Sequence, residues 1–124
     1  MSAILLSINP EHIANIFNGT KRFEFRKVSC KREVTRIVFY CTSPIMKIVG
    51  EAEVDEIIEG HPDELWSRTL ASAGISRKFF DEYYNGRSRG VAFGLKNIIE
   101  FEEHRDLSDY GISAPPQSFV YLPE

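Results

Sequence analysis

Two β-prone runs, TRIVFYCTS (35–43) and KIVGEAEVDEII (47–58), follow one another with only a proline-broken link between them. Both are rich in β-branched and aromatic residues, which fit a pleated, buried surface. Pro44 stops the first run, and Gly50 in the second marks a bulge or a point of close packing. Strands that succeed one another without alternating crossover helices argue against a doubly wound parallel sheet.

The rest of the chain keeps to that rule. AILLSI (3–8) is a short apolar strand. Asn9-Pro10 then opens a helix, with Asn9 as its cap, Glu11 near the positive end of the dipole, and Ile13, Ile16 and Phe17 as an apolar stripe. Asn18-Gly19 ends it, and residues 22–28 alternate with period two as a strand. HPDELWSRTLASAG holds a proline-initiated helix with Leu65, Trp66 and Leu70 on one side, ended by Gly74. SRKFFDEYYNG gives a second short helix from Ser76, closed by Asn85-Gly86. GVAFGLKNIIEF returns to strand, and APPQSFVYL is a stiff loop leading into a last strand. The order β-α-β-β-β-α-α-β-loop-β predicts an α+β fold, a small, mostly antiparallel β-barrel or curled sheet with peripheral helices.

With 124 residues and no repeat, low-complexity tract or linker, the chain reads as a single domain over 1–124. A chain of this size buries roughly two-thirds of its unfolded surface, enough for a core without disulfide or metal. Cys30 and Cys41 are the only cysteines and read as reduced thiols in a cytoplasmic protein. MSAILLSINPEH has too short an apolar run and no basic start for a signal peptide. No stretch approaches the ~20 apolar residues of a membrane helix, so no membrane partner is expected. His12, His61 and His104 lack ligand spacing, which argues against a metal. GRSRGVAFG lacks a phosphate-loop or dinucleotide fingerprint, and no cofactor is expected.

Net charge is -3, but the charges are segregated. Lys21, Arg22, Arg26, Lys27, Lys31, Arg32 and Arg36 face only Glu24 and Glu33 in their block. Glu51, Glu53, Asp55, Glu56, Glu59, Asp63 and Glu64 follow without a Lys or Arg among them. Such blocks suit a positive groove with an acidic far side, or solvated faces that pair with each other.

Inside the basic block, NGTKRFEFRK (18–27) places one carboxylate, Glu24, among Lys21, Arg22, Arg26 and Lys27. Strand alternation puts Arg22, Glu24 and Arg26 on one face and Phe23 and Phe25 on the other. One reading is an exposed cross-strand salt bridge worth ~0–1 kcal/mol. The other is a site in which Lys21 and Arg26 hold a phosphate or base edge, while Glu24 accepts from an amino group or fixes Arg26. Thr42-Ser43, before Pro44, offers hydroxyls to an anion or base, or makes an ordinary turn. Gln117-Ser118, after Pro115-Pro116, presents an amide to a base or a simple loop hydrogen bond. Tyr40, Tyr83, Tyr84 and Phe93 either stack on a base or pack in the core, and Arg87 and Arg89 either meet phosphate or are solvated.

Three ordered stretches carry a family resemblance: SINPEHIANIFNGTKRFEFRK, FYCTSPIMKIVGEAEV and PPQSFVYL. The first contains G-x-K-x-x-E-x-R as Gly19, Lys21, Glu24 and Arg26. Together they resemble the ASCH family, within the PUA-like β-barrels. The resemblance implies a PUA-like barrel with a cleft beside the first helix, and RNA or a modified nucleoside or nucleotide as partner. It points to Lys21, Glu24, Arg26, Thr42, Ser43, Gln117 and Ser118 as ligand-binding candidates. Some ASCH proteins remove the acetyl group of N4-acetylcytidine with a Lys, a Thr nucleophile and a Glu. Lys21 matches the Lys, but the position three residues on holds Glu24, and ASAGISRK has no carboxylate. The expected function is therefore recognition of RNA or a modified nucleotide. The alternative is a hydrolase, either a ribonuclease or an amidohydrolase on a modified nucleoside, with Lys21 as electrostatic stabiliser and Glu24 as general base. A third reading is partner binding through the acidic stretch 51–64. Net negative charge favours a short ligand over tight non-specific binding of long nucleic acid.

Overall fold

The computed structural model describes residues 2–123. Six strands and three helices follow in the order β1 (Ser2–Ile8), α1 (Pro10–Phe17), β2 (Phe23–Arg26), β3 (Val34–Cys41), β4 (Lys47–Gly60), α2 (Pro62–Thr69), α3 (Arg77–Tyr83), β5 (Gly90–Arg105) and β6 (Phe119–Tyr121). They form one curled sheet of order β2-β5-β4-β3-β1-β6. This is the expected α+β, PUA-like half-barrel, antiparallel at every pairing but one. The exception is β1 against β3, which is parallel, with Leu5 opposite Val38. A parallel pair needs a crossover of a dozen or more residues, and α1 with β2 supplies it.

Bulges bend the longest strands. Register shifts occur between Phe39 and Tyr40 and at three points along β4–β5, and each adds local twist and curl. Gly50 sits at one of them. A Cβ there would come within 2.4 Å of the Ile99 carbonyl and 2.7 Å of the Phe17 ring, so both parts of the sequence expectation for Gly50 hold. The inner core joins Ile4, Leu6, Ile37, Phe39, Val91 and Phe93 of the sheet to Ile13 and Ile16 of α1. The other face of β1 and β3 is buried too, with Leu5, Val38, Tyr40 and Leu122. Strands covered on both sides read as continuous apolar runs, which is why AILLSI and TRIVFYC show no alternation.

A second cluster, Phe25, Ile58, Leu65, Phe80, Tyr84 and Ala92, seats α2 and α3 on the outside of the sheet. Leu65 is buried and Trp66 half-buried, with its ring centroid 5.1 Å from that of Phe80. Leu70 departs from expectation. The helix gives way to a 3₁₀ turn at that residue, and its side chain is exposed. Gly19 and Gly74 have φ of +88° and +69° and end their helical segments as anticipated. Among the described residues no helix is long and apolar enough to cross a membrane.

Candidate nucleotide site

Register decides where the charges of β2 go. Glu24 lies opposite Phe93 and Arg26 opposite Val91, while Phe25 lies opposite Ala92. Residues opposite one another share a face. Phe25 therefore joins the cluster under α3, and Glu24 and Arg26 turn toward the inside of the curl, where Phe93 and Val91 belong to the inner core. The alternation read from sequence is correct, and the charged face looks into a cleft. Arg22 does not follow. It precedes the strand, is exposed, and lines a separate groove with Phe17, Lys96 and Asn97.

Lys21 is positioned by the turn after α1. Its N–H donates to the Asn15 carbonyl at 3.0 Å, and the next N–H, of Arg22, donates to Ser72 at 2.8 Å. The link between α2 and α3 then lies directly over its stem. A Cβ on Gly74 would stand 2.2 Å from Lys21 Cβ, so only glycine fits there. The result is a lysine only 2% exposed. Its Nζ donates to the Ala73 carbonyl at 3.2 Å, sits 3.6 Å from Glu24 Oε1 and lies 4.8 Å from the Phe25 ring centroid. Burial pulls the Lys21 ammonium below its ordinary range, and Glu24 opposes that pull.

Glu24 is 6% exposed. Its Oε2 accepts from Arg26 twice, from Nη2 at 2.7 Å and Nε at 3.2 Å. Arg26 Nη2 also donates to the Ser7 carbonyl of β1 at 2.8 Å. β2 is one edge of the sheet and β1 lies next to the other, so this side chain bridges a seam that no backbone pairing closes. Lys21, Glu24 and Arg26 form the floor of a cavity of about 200 Å³ at that seam. Ile75, Phe79 and Tyr83 make one wall, and Ser7, Asn9 and His12 make the other. The volume is below the ~300–1,000 Å³ usual for drug-sized ligands and suits a single base or sugar.

The remaining candidates divide. Thr42 Oγ1 donates to Asn9 Oδ1 at 3.1 Å, so Thr42 braces the cavity rim from behind. This also explains why the Asn9 side chain makes no capping bond to α1, although Asn9 is the N-cap residue. Ser43 is an exposed turn residue. Gln117 and Ser118 are exposed and outside the cavity lining, but their loop is tied to the rim where Ser7 Oγ donates to the Pro116 carbonyl at 2.7 Å. Tyr40, Tyr84 and Phe93 are core residues. Tyr83 alone of the four reaches the cavity, with Lys27 Nζ 4.8 Å above its ring. Arg87 and Arg89 are exposed.

Sequence reasoning missed His12, Phe79 and Ile75. His12 lacks metal-ligand spacing, so nothing in the sequence singles it out. Its placement follows from the first turn of α1 lying across the seam, which no local pattern announces. Burial and the nearby Lys21 push its imidazole below the ordinary histidine value, so the ring is neutral at physiological pH. Among the described residues no three His, Cys, Asp or Glu side chains group as a metal site.

The chain matches the model of the ASCH domain over residues 6–105. A large ribosomal subunit protein uL22 of Ureaplasma parvum serovar 3 is 30% identical over 120 residues, which are 96% of this chain and 39% of that protein. The chain thus spans well under half the length of its uL22 relatives. An ASCH domain-containing ribonuclease of Zymomonas mobilis is 29% identical over 127 residues, covering 95% of this chain and 82% of the relative. The crystal structure of ASCH from Zymomonas mobilis superposes with a TM-score of 0.88 at 28% sequence identity, covering 98% of this chain and 88% of that one.

Proposed function

The chain belongs to the ASCH domain family, and on that premise we propose that it recognises RNA or a modified nucleoside, taking one nucleotide unit into the seam cavity. The observation that carries this reading is the cavity floor, where the buried Lys21 and the part-buried Arg26 share one carboxylate. Such a floor has unspent N–H groups and a net positive charge, and it turns toward an acceptor or anion on the ligand. The wall of Phe79 and Tyr83 supplies aromatic surface for a base. The free thiols Cys30 and Cys41 support a reducing, cytoplasmic location.

Ribonuclease action is the second reading, favoured by the likeness to the ASCH domain-containing ribonuclease of Zymomonas mobilis. Within the cavity, Glu24 is poorly suited to the part of general base. Its Oε2 already accepts two N–H bonds and its Oε1 lies 3.6 Å from the Lys21 ammonium, so both oxygens are engaged with cations. Deacetylation through Lys, Thr and Glu is not proposed. The Lys21 ammonium meets the Ala73 carbonyl instead of a second carboxylate.

A thermal-shift screen with nucleosides, nucleotides and short RNAs tests the reading, because a ligand that prefers the folded state raises the melting temperature. At least one should produce a saturable rise that Lys21→Met abolishes. A screen in which nothing raises the melting temperature would refute recognition. Cleavage of a short RNA that is lost in Lys21→Met would move the second reading to first place.

A further inference from the structure

The cavity has room for a base or a sugar, so a phosphate carried by the same nucleotide has to lie outside it. The α3 wall shows on which side. Phe79 and Tyr83 are four residues apart on that helix and stand one turn apart on one face. Past the Phe79 end lies a second hollow, which shares His12, Ile75 and Phe79 with the cavity. Glu11 is the one carboxylate lining it, with no Lys or Arg beside it, and a carboxylate repels an anion.

The Tyr83 end is basic. Lys27 follows the last residue of β2 and is exposed, with its Nζ 4.8 Å from the centroid of the Tyr83 ring that lines the cavity. Arg87 comes from the turn that closes α3, where its N–H donates to the Tyr84 carbonyl at 2.9 Å, and its side chain is exposed too. Burial pushes the Tyr83 phenol up, and Arg26 and Arg87 oppose that push, so the Arg87 charge acts on the same ring. Among the described residues neither Lys27 nor Arg87 forms an ion pair, whereas Lys21, Arg26, Arg36, Lys47 and Arg77 all do.

Resting on the recognition reading above, we propose that Lys27 and Arg87 form a phosphate subsite at the Tyr83 end of the wall. It holds the sugar phosphate of the nucleotide whose base or sugar fills the cavity. A cation–π contact is weak at an exposed site, and a phosphate offers Lys27 a charge-assisted hydrogen bond in its place. The site then takes a phosphorylated nucleoside in preference to the free one. The phosphate leaves by the Tyr83 end because the other end meets Glu11.

The experiment titrates the four ribonucleosides and their 5′- and 3′-monophosphates into wild-type protein and two double variants. At low salt at least one monophosphate should bind wild type about tenfold more tightly than its nucleoside, the worth of a hydrogen bond to a charged group. That gap should narrow as salt rises. In Lys27→Gln with Arg87→Gln it should all but close. Arg22→Gln with Lys96→Gln removes as many charges from the separate groove that those two residues line, and should leave the gap in place. All four positions are exposed, so both variants should melt close to wild type. Monophosphates that bind no more tightly than nucleosides would overturn this inference and leave the recognition reading standing. So would a gap that survives the loss of Lys27 and Arg87, or one that closes equally in the second variant. Binding of short RNA without binding of any nucleoside or monophosphate would overturn it as well. Absence of nucleoside, nucleotide and RNA binding in wild type would overturn both.

Discussion

Glu24 is one anion between two cations, and that charge count decides what each substitution does. Removing its charge leaves the buried Lys21 beside the part-buried Arg26 without compensation. Removing the Lys21 charge leaves Glu24 and Arg26 as a matched pair. Deleting one partner of a buried pair costs about 3–5 kcal/mol because it leaves an uncompensated buried charge, and a deletion that leaves the remaining charges matched avoids that cost. Glu24→Gln should therefore destabilise by about 3 kcal/mol, and Lys21→Met by less than about 1 kcal/mol with binding lost. Chemical denaturation of the two variants checks this, and equal losses would show that the three charges do not act as a unit. The exposed salt bridge weighed from the sequence, worth ~0–1 kcal/mol, underestimates Glu24 because alternation says which face a residue takes and nothing about what covers it.

The cover is supplied at the next scale, by the link between α2 and α3. It crosses Lys21 so closely that the Gly74 position has no room for a side chain, and its φ of +69° belongs to the left-handed region. Gly74→Ala should destabilise by about 2 kcal/mol or more and weaken ligand binding, because it displaces Lys21 as well as straining the backbone. A melting curve and a titration of the same variant check both effects, and normal binding would separate the link from the site. The elements themselves were legible. Helix starts, glycine stops and strand periodicity gave their order, and the bulge at Gly50 was marked by the residue itself. The parallel pairing of β1 with β3 was not, because it depends on α1 and β2 acting together as a crossover. The site was half legible. Lys21, Glu24 and Arg26 announce themselves as charges in one strand motif, while His12, Phe79 and Ile75 come from α1 and α3 and meet them only across the seam.

Across the whole molecule the charge blocks divide their work. Arg36 of the basic block pairs with Glu51 of the acidic one at 3.2 Å, and Lys47 pairs with Asp106. Arg32 stacks over Tyr121, its guanidinium carbon 4.3 Å from the ring centroid. Lys21 and Arg26 are committed to the cavity. The basic residues between 21 and 36 thus serve several local partners and do not form one continuous track for a phosphate backbone. Each phosphate neutralised on a single strand changes the slope of log affinity against log salt by about -0.7. A ligand held by one unit in the cavity neutralises one or two phosphates, so the slope should be about -0.7 to -1.4. It should also be the same for RNAs of about 10 and about 20 nucleotides, since the added phosphates find no track to follow. Titrations of both ligands at several salt concentrations provide the measurement. A slope that steepens with RNA length would mean that the exposed Lys27, Arg87 and Arg89 carry the chain beyond the cavity, and recognition of a single unit would give way to binding along a strand.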